Sequence, residues 1–414
     1  MLHENKEQIE YVILVAADVE SGGLSSYNAD ASLDELAELA DTAGAVVVGR
    51  LVQKLDHFNP ATYIGSGKIE ELKTMIYALG ATGIITDDEL SPSQMYNLSQ
   101  ALDIKVMDRT MLILDIFAAH AKSAEGKMQV ELAQLEYRLS RLTGKGTSMS
   151  RLGGGIGTRG PGEKKLEQDR RVIRKRVSQL KHEIKEMSAH RDIQRAGREK
   201  GRIPVFAIVG YTNVGKSTLL NALTGAGILA EDKLFATLDT TTRVYEYNRT
   251  TGKQKILLTD TVGFIRKLPH NLIDAFRSTL EEAKYADYII HVVDASSPNR
   301  TEEMKVAYNT LDKLNVTGKK VITIFNKIDK IRDEDMRVGL FDLRAVKYLS
   351  ISAKHGTGLD ELPKVIDSVL REDRHLIEKI FDYNEMSKIS EIKLNGEVIE
   401  EEYRDDGIYI KAYI

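Results

Sequence analysis

The sequence predicts an α/β protein whose second α/β domain is of the P-loop class. Three observations support this domain organisation. Apolar runs typical of buried strands alternate with helical patterns over residues 1–120 and again over residues 201–372. The segment 210–217 has the spacing of a phosphate-binding loop. Two heptad repeats lie between the α/β regions. We therefore expect an N-terminal α/β domain, an antiparallel helical hairpin (121–200), a P-loop domain and a small C-terminal α+β module (373–414).

The composition limits the class of protein. The chain has 414 residues, enough for two to four domains, and 42% of them are hydrophobic and 29% charged. It has no cysteine, which excludes disulfides, zinc–thiolate sites and cysteine nucleophiles. No apolar run is long enough to cross a bilayer, and the first residues do not form a secretory signal. We expect a cytoplasmic protein without a membrane span, monomeric when free.

The N-terminal region is predicted to alternate strands and helices. Its predicted strands are residues 11–17, 45–51, 83–86 and 104–107, and its predicted helices, two of them capped by Ser32 and Ser91, are residues 32–39, 72–79 and 91–102. Residues 65–68 (GSGK) partly match a phosphate loop but lack its full spacing and a Ser or Thr after the lysine. We interpret them as a helix-entry turn. A second nucleotide site, or use of ATP by this domain, is the alternative.

Residues 121–200 are predicted to form a basic hairpin of two long helices. Heptad-spaced apolar residues mark both helices: Met128, Leu132, Leu135, Leu139 and Leu142, then Leu166, Ile173, Val177, Leu180, Ile184 and Met187. A glycine-rich loop, 143–163, forms the tip, and loops of this length are usually functional or disordered. The region holds 20 Lys and Arg against 10 Asp and Glu, a local net charge of +10 in a chain of net charge −4. This predicts contact with RNA phosphates; a solvated coiled-coil face is the alternative.

The phosphate-loop motif begins the P-loop domain. It follows the apolar run 205–209 and precedes a helical pattern, which is the context that the G-x-x-x-x-G-K-S motif requires. Glycines let backbone N–H groups approach phosphates, and the helix N-terminus favours the same negative charge. Lys216 is predicted to reach the outer phosphates and Ser217 to bind Mg²⁺. The predicted contacts from this loop are Gly210, Tyr211, Thr212, Asn213, Val214, Gly215, Lys216, Ser217 and Thr218.

Further motifs follow, three of them directly after apolar strands. Asp260 is predicted to hold the magnesium shell, and the Gly263 N–H to contact a terminal phosphate. Asp329 can accept both hydrogen bonds from the N1 and 2-amino edge of guanine, which selects GTP over ATP. Backbone N–H groups of 352–354 suit the guanine O6. The predicted contacts outside the phosphate loop are Phe235, Ala236, Thr237, Leu238, Asp239, Asp260, Thr261, Val262, Gly263, Asn326, Lys327, Ile328, Asp329, Ser352, Ala353 and Lys354.

These motifs, in this order, resemble those of the Obg–HflX branch of translation-factor-like GTPases. With the glycine segment 153–171 and the switch segment 235–243, residues 1–372 are most similar to the HflX family. The fold class is then α/β, with a P-loop GTPase domain over 201–372. The resemblance implies that Thr237 is the metal-binding threonine; from spacing alone, Thr241 or Thr242 is the alternative.

The same resemblance implies a function and partners. It implies a GTPase that binds the large ribosomal subunit and its ribosomal RNA, with the glycine tip near the peptidyl-transfer region. It also implies splitting of stalled or idle ribosomes under stress. The alternatives are a large-subunit assembly factor of the Obg type and a nucleotide-independent RNA-binding scaffold. The intact phosphate-loop and base motifs disfavour the scaffold.

The predicted catalytic group lacks one component. Ras-like switches place a glutamine directly after D-x-x-G to orient water, but this chain has Phe264 there. Three explanations remain open: hydrolysis is intrinsically slow, a partner completes the site, or a cation assists. For a cation, the family resemblance implies Asn213 as the K⁺ ligand. The predicted catalytic residues are Lys216, Thr237, Gly263 and Asn213. Arg243 and Arg266 could stabilise phosphate charge, but we interpret both as solvated switch-surface residues.

The final region carries no catalytic motif. Asn395-Gly396 lies between two short alternating segments, 391–394 and 397–400, and predicts a β-hairpin there. Residues 407–414 alternate and predict a third strand. We expect a small acidic α+β module that packs on the switch domain or contacts a protein partner.

Overall fold

Three β-sheets organise the part of the chain that this computed structural model describes: residues 9–19, 29–142, 161–198, 203–225, 234–235, 241–249, 252–267, 269, 282–331 and 339–413. The chain divides into two units. Unit 1 comprises Met1–Met187, Lys233–Phe235 and Lys267–Phe276, and unit 2 comprises Ser188–Asp232, Ala236–Arg266 and Arg277–Ile414. Within the described ranges, no helix is both long and apolar enough to cross a membrane.

The first sheet, in unit 1, is parallel and has four strands. Its strands are β1 (Tyr11–Val19), β2 (Val46–Leu55), β3 (Gly83–Thr86) and β4 (Lys105–Asp108), and its helices are α1 (Ala29–Thr42), α2 (Ser66–Leu79), α3 (Pro92–Leu102) and α4 (Arg109–His120). The strand order is β2-β1-β3-β4. The middle of β1 and all of β3 are buried apolar runs, as expected for a parallel sheet covered on both faces. The predicted alternation of strands and helices is confirmed.

Two predicted helix starts are confirmed and one is wrong. Ser91 caps α3 with a capping box, in which its side chain accepts from the Gln94 N–H. Gly65 directly precedes α2, so residues 65–68 are the predicted helix-entry turn. Ser32 is not a cap, because α1 begins three residues earlier at Ala29. Its hydroxyl instead donates a hydrogen bond of 2.7 Å to Asp87, which fixes α1 to the end of β3.

A buried charge cluster lies beyond the carboxyl ends of β3 and β4. The Arg109 side chain is 2% exposed and donates hydrogen bonds to Asp87, over 2.9 Å, and to Glu35. Asp87 also pairs with Lys267, another residue of unit 1. Buried charges require such partners because desolvation strongly disfavours an isolated ion.

The helical hairpin is antiparallel as predicted. Its helices are α5 (Ala124–Leu142) and α6 (Pro161–Arg198). Arg170 donates a hydrogen bond to the Leu142 carbonyl, and Arg176 pairs with Glu131 over 2.7 Å. Later residues of α6 thus contact earlier residues of α5, so the two helices are antiparallel. In the seam, Leu132 and Leu180 are buried. The predicted glycine tip lies, over residues 143–160, outside the described residues.

The second sheet, in unit 2, has six strands. They are β5 (Val205–Gly210), β6 (Thr241–Arg249), β7 (Gly252–Asp260), β8 (Tyr288–Asp294), β9 (Val321–Asn326) and β10 (Lys347–Ser350), accompanied by α7 (Lys216–Thr224), α8 (Glu282–Tyr285), α9 (Arg300–Lys313) and α10 (Leu362–Glu372). The order is β10-β9-β8-β5-β7-β6, and all neighbours are parallel except β6 and β7. The sheet is the parallel, helix-covered type that the apolar runs predict.

The described residues of the C-terminal module form three antiparallel strands, one α-helix and a short 3-10 helix, Tyr383–Glu385. Its elements are β11 (Leu376–Phe381), α11 (Met386–Asn395), β12 (Glu397–Arg404) and β13 (Gly407–Tyr413). The predicted hairpin at Asn395-Gly396 is wrong, because Asn395 ends α11 and Gly396 is its C-cap. Ile389 and Ile392, three residues apart, pack together against the sheet, and this helical spacing overrides the local turn signal. The hairpin instead joins β12 to β13.

A buried carboxylate joins this module to the rest of unit 2. Glu397, at the start of β12, is 3% exposed. It accepts hydrogen bonds from the guanidinium of Arg371 on α10, one of them over 2.9 Å, and lies 3.6 Å from Arg249 at the end of β6. Arg249 also donates a 2.6 Å hydrogen bond to Asp367. The module thus packs against the P-loop region, which is one of the two predicted arrangements.

Candidate nucleotide-binding site

The four described sequence motifs of the predicted site meet at one edge of the second sheet. Strands β5, β7 and β9 end at Gly210, Asp260 and Asn326, and Ser352 follows the end of β10 closely. Because the carboxyl ends of parallel strands share an edge, residues far apart in sequence are brought together there. This edge is where ligands usually bind to open α/β sheets.

Two glycines of the phosphate loop occupy positions that only glycine fits. Gly210 has φ +153°, and an added Cβ would lie 2.2 Å from the carbonyl oxygen of Val292. Gly215 has φ +92°, and an added Cβ would lie 2.4 Å from Nδ2 of Asn326. At these two positions the loop therefore packs directly against β8 and β9, with no room for a side chain.

Lys216, the first residue of α7, is buried under the loop. Its Nζ donates hydrogen bonds to the carbonyl oxygens of Tyr211, at 2.6 Å, and Gly210, at 3.2 Å. Burial lowers the pKa of Lys216 to about 8, with Asp260 opposing and Lys327 adding to that effect. An anion bound at this site would favour the ammonium form and raise that pKa again.

The Ser217 hydroxyl and the Asp260 carboxylate lie together. Ser217 Oγ donates a hydrogen bond of 2.9 Å to Asp260 Oδ2, and Asp260 is fully buried at the end of β7. A hydroxyl and a carboxylate are hard oxygen ligands, the type that Mg²⁺ prefers in combination with phosphates and water. Among the described residues, no group of three or more His, Asp and Glu side chains could hold a metal ion.

The D-x-x-G segment lies directly against the phosphate loop. A Cβ on Gly263 would meet Thr212 Cα at 2.9 Å and Lys216 Nζ at 3.0 Å. Phe264 exchanges two backbone hydrogen bonds with the loop: its N–H donates to Gly210 over 3.0 Å, and its carbonyl accepts from the Thr212 N–H over 2.8 Å. Phe264 itself is 2% exposed, so its ring belongs to the core and faces no open water site.

The base motif of β9 is tied to the phosphate loop. Asn326 Nδ2 donates to the Val214 carbonyl over 2.8 Å, and Asn326 Oδ1 accepts from the Ala353 N–H over 2.9 Å. Lys327 has left-handed backbone (φ +63°) and donates to the Asn213 carbonyl over 2.6 Å. One strand end thus connects the phosphate loop to the segment that follows β10.

Asp329 is positioned for base recognition. Its Oδ1 accepts a hydrogen bond of 2.6 Å from the Ser352 hydroxyl. That bond, with a smaller contribution from His355, lowers the pKa of Asp329, so the group is a carboxylate at neutral pH. Ser352 and Ala353 are buried, whereas Asp329 and Lys354 are exposed. A charged acceptor on a fixed support is suited to a donor pair such as the N1 and 2-amino groups of guanine.

Not every predicted contact lies at this edge. Residues 236–239, including Thr237, are outside the described residues. Phe235 belongs to unit 1, where its ring packs on Phe117 with centroids 4.6 Å apart. The Thr242 hydroxyl shares a 2.9 Å hydrogen bond with Thr259 on the neighbouring strand.

The sequence reasoning missed one residue of this site, Asp294, and one contact of a predicted residue, Tyr211. Asp294, at the end of β8, accepts from Lys327 Nζ over 2.8 Å and orients the lysine that contacts the phosphate loop. The Tyr211 hydroxyl accepts a hydrogen bond from the backbone N–H of Arg266. An acidic residue closing an apolar strand at this edge was a usable signal for Asp294. The sequence contained no such signal for the Tyr211 contact.

Three protein-family models match the chain. The model described as the N-terminal region of GTP-binding GTPases matches residues 30–118, and the model of their middle region matches residues 120–198. The model of 50S ribosome-binding GTPases matches residues 205–327. The matches therefore include both α/β regions and the hairpin between them.

Full-length relatives are also similar. The chain is 56% identical over 413 residues to the GTPase HflX of Lacrimispora saccharolytica, covering 100% of this chain and 95% of that protein. It is 49% identical over 405 residues to the GTPase HflX of Caldanaerobacter subterraneus subsp. tengcongensis, covering 98% and 91%. A solved GTP-binding protein from Sulfolobus solfataricus in complex with GDP is 27% identical, covers 87% of this chain and 98% of that one, and has a TM-score of 0.44. The family assignment rests on the two HflX sequences and not on the Sulfolobus structure.

Proposed function

The chain belongs to the HflX family of GTPases, and from this premise we propose that the site at the edge of the second sheet binds and hydrolyses GTP to control attachment to the large ribosomal subunit. The protein is a ribosome-associated GTPase. We further propose that its attachment splits stalled or idle ribosomes under stress, and that it acts in the cytoplasm and is monomeric when free. The observation that supports the nucleotide site best is the junction at Asn326, which ties the phosphate loop to the base-recognition segments.

The phosphate end of the site would work through the loop and α7. Backbone N–H groups of residues 213–217 would surround the phosphates, and the N-terminus of α7 would add its partial positive charge. Lys216 would exchange the carbonyl oxygens it contacts now for phosphate oxygens, which accept hydrogen bonds from an ammonium more strongly because they are charged.

Magnesium fits the donor set of this site. Ser217 and Asp260 would hold it, with Thr237 as the third protein ligand that the family resemblance implies. When bound, Mg²⁺ neutralises charge that develops on the phosphate oxygens during hydrolysis. The Gly263 N–H would contact the terminal phosphate, because Gly263 lies beside Lys216 Nζ.

Hydrolysis would be slow in the isolated protein. No glutamine follows Gly263, and the Phe264 side chain is buried and apolar, so it can neither orient nor polarise water. We propose that docking on the ribosome, or a K⁺ ion near Asn213, completes the site. Asn213 is the candidate ligand because the family resemblance implies it, and its carbonyl oxygen accepts a hydrogen bond of 2.6 Å from Lys327 Nζ. Turnover in potassium and in sodium, with and without ribosomes, tests both ideas.

The ribosome contact would be made by the hairpin. Arg171, Arg174 and Lys175 are exposed on α6, where they can neutralise RNA phosphates. Binding of this kind weakens steeply with salt, because condensed counterions are released. Nucleotide would control it only if the GTP and GDP states differ in their contacts with the ribosome.

Sedimentation of ribosomes with the protein tests the proposal. With a non-hydrolysable GTP analogue we expect co-sedimentation and growth of the free-subunit peaks, and with GDP we expect neither. Arg171→Glu with Arg174→Glu should weaken binding, whereas Lys305→Glu, an exposed lysine on α9, should not. Equal binding with and without nucleotide would contradict the switch, and binding without dissociation would contradict ribosome splitting.

A further inference from the structure

We infer that Tyr211 is a positioning residue for hydrolysis, whose hydroxyl holds the segment Gly263–Arg266 against the phosphate loop. This inference rests on the proposed GTP site and assigns a role to one side chain within it. The hydroxyl accepts a hydrogen bond of 3.0 Å from the backbone N–H of Arg266. The two residues are 55 positions apart, so the bond joins two separate motifs.

Among the described residues, three of the hydrogen bonds between this segment and the loop differ in kind. The bonds that Phe264 makes with Gly210 and Thr212 are between backbone groups, and any residue pair could form them. The bond to Arg266 depends on the side chain of Tyr211, because a phenolic hydroxyl is its acceptor. Of the three bonds, only this one requires a particular side chain, that of Tyr211.

The residues around the hydrogen bond between Tyr211 and Arg266 are largely buried. Tyr211 is 7% exposed, and Phe264 and Ile265, which precede Arg266, are each 2% exposed. Arg266 itself is only partly buried, so water competes with this bond less than at an exposed site, and losing the hydroxyl removes a net hydrogen bond of ordinary size. Removing the hydroxyl would therefore loosen the end of the segment while the two backbone bonds persist.

Tyr211 also touches the catalytic lysine. Its carbonyl oxygen accepts a hydrogen bond of 2.6 Å from Lys216 Nζ. The same Nζ lies 3.0 Å from the position that a Cβ on Gly263 would take. Tyr211 therefore contacts the lysine through its backbone and the D-x-x-G segment through its side chain, and it sets the spacing between them.

This arrangement predicts an effect on hydrolysis rather than on GDP binding. GDP would be held by the phosphate loop, α7 and the base motif, none of which requires the Gly263 N–H. The terminal phosphate of GTP would require it, and a shift of that N–H would weaken charge stabilisation in the transition state. The rate of hydrolysis should therefore fall, whereas GDP affinity should change little.

The test compares two tyrosine variants of the full-length protein. Tyr211→Phe removes only the hydroxyl that accepts from Arg266. Tyr247→Phe is the matched control, because Tyr247 is also 7% exposed and its hydroxyl donates a 2.7 Å hydrogen bond to Asp367, far along β6 from the switch end. We expect Tyr211→Phe to lower the single-turnover rate of GTP hydrolysis about 3- to 10-fold, the size of one net hydrogen bond, with GDP affinity within about twofold. Tyr247→Phe should leave both quantities unchanged.

Hydrogen exchange gives a second readout. In Tyr211→Phe the amide of Arg266 should exchange faster than in the wild type, and in Tyr247→Phe it should not. A hydrolysis rate within twofold of the wild type, a raised rate, an equal loss of GDP affinity, or unchanged exchange at Arg266 would each overturn the inference. Failure of the wild-type protein to bind GDP or hydrolyse GTP would instead overturn the proposed function.

Discussion

Asn326 Nδ2 donates a 2.8 Å hydrogen bond to the carbonyl oxygen of Val214, and so the end of β9 fixes the shape of the phosphate loop. The two residues are 112 positions apart in the chain. Both partners are buried, and the other side-chain atom of Asn326 is engaged by the Ala353 N–H. Base recognition and phosphate binding are thus linked through one amide, and changes at Asn326 should affect both.

Asn326→Asp is expected to weaken GDP binding about 10- to 100-fold, the cost of leaving a buried carbonyl without its donor. The variant keeps an acceptor for the Ala353 N–H but turns a carboxylate oxygen toward the Val214 carbonyl. Isothermal titration calorimetry measures the change. Asn97→Asp is the control, since Asn97 Nδ2 donates an equally long bond to the Ala61 carbonyl on the surface of unit 1. Equal affinities of the two variants would refute the link.

Gly215→Ala should abolish nucleotide binding, because its Cβ would enter the space of Asn326 Nδ2 and its φ of +92° is strained for alanine. Gly225→Ala is the matched control at the opposite end of α7. Gly225 also has positive φ (+64°), but no atom lies within 4 Å of its Cβ. The control should lose about 1 kcal/mol of stability and keep its GDP affinity. Retained binding in Gly215→Ala would show that the loop is looser than described here.

Binding of GDP should take up protons at mildly alkaline pH. The pKa of Lys216 is about 8 in the free protein, below its usual range because of burial, and bound phosphates would raise it. At pH 8 roughly half of the lysines would be neutral, so binding would draw about half a proton per nucleotide, and affinity would fall as pH rises further. Calorimetry in two buffers of different ionisation enthalpy measures this uptake. Uptake at pH 8 no greater than at pH 7 would contradict the assignment.

Asp329→Asn should shift base preference from guanine toward xanthine. The new amide can donate to the xanthine O2 but cannot accept both guanine donors, so we expect GDP affinity to fall by at least about tenfold while affinity for the xanthine nucleotide rises. Asp360→Asn, an exposed carboxylate in the loop before α10, should alter neither affinity. Competition binding with the two diphosphates distinguishes the outcomes. A variant that still prefers GDP would contradict the base assignment.

Arg109→Met should destabilise unit 1 by about 3–5 kcal/mol, because it removes the buried guanidinium that the carboxylates of Asp87 and Glu35 share. Arg50→Met removes an exposed pair of 2.6 Å with Asp34 and should cost no more than about 1 kcal/mol. Urea unfolding of both variants, followed by circular dichroism, gives the comparison. Similar losses in the two variants would mean that the buried cluster contributes no more than a surface pair.

The sequence predicted those parts of the site whose geometry is local. The phosphate loop is one contiguous turn between a strand and a helix, so its spacing specifies its shape, and the base motif follows a recognisable strand. The contacts of Tyr211 with Arg266 and of Lys327 with Asp294 join separate segments, and only the assembled sheet brings them together. The misplaced hairpin at Asn395-Gly396 has a similar cause, because packing of Ile389 and Ile392 on the module's sheet outweighs a strong turn signal.

The buried Glu397 has a practical consequence for anyone who shortens this protein. A version trimmed to the nucleotide-binding region by removing residues 373–414 would strip Arg371 and Arg249 of a carboxylate they share, and would uncover the ends of α10 and β6. Although it carries no catalytic motif, the last module would then be needed for the preceding residues to remain well folded. Minimal versions made for crystallisation or ligand screening should therefore retain it.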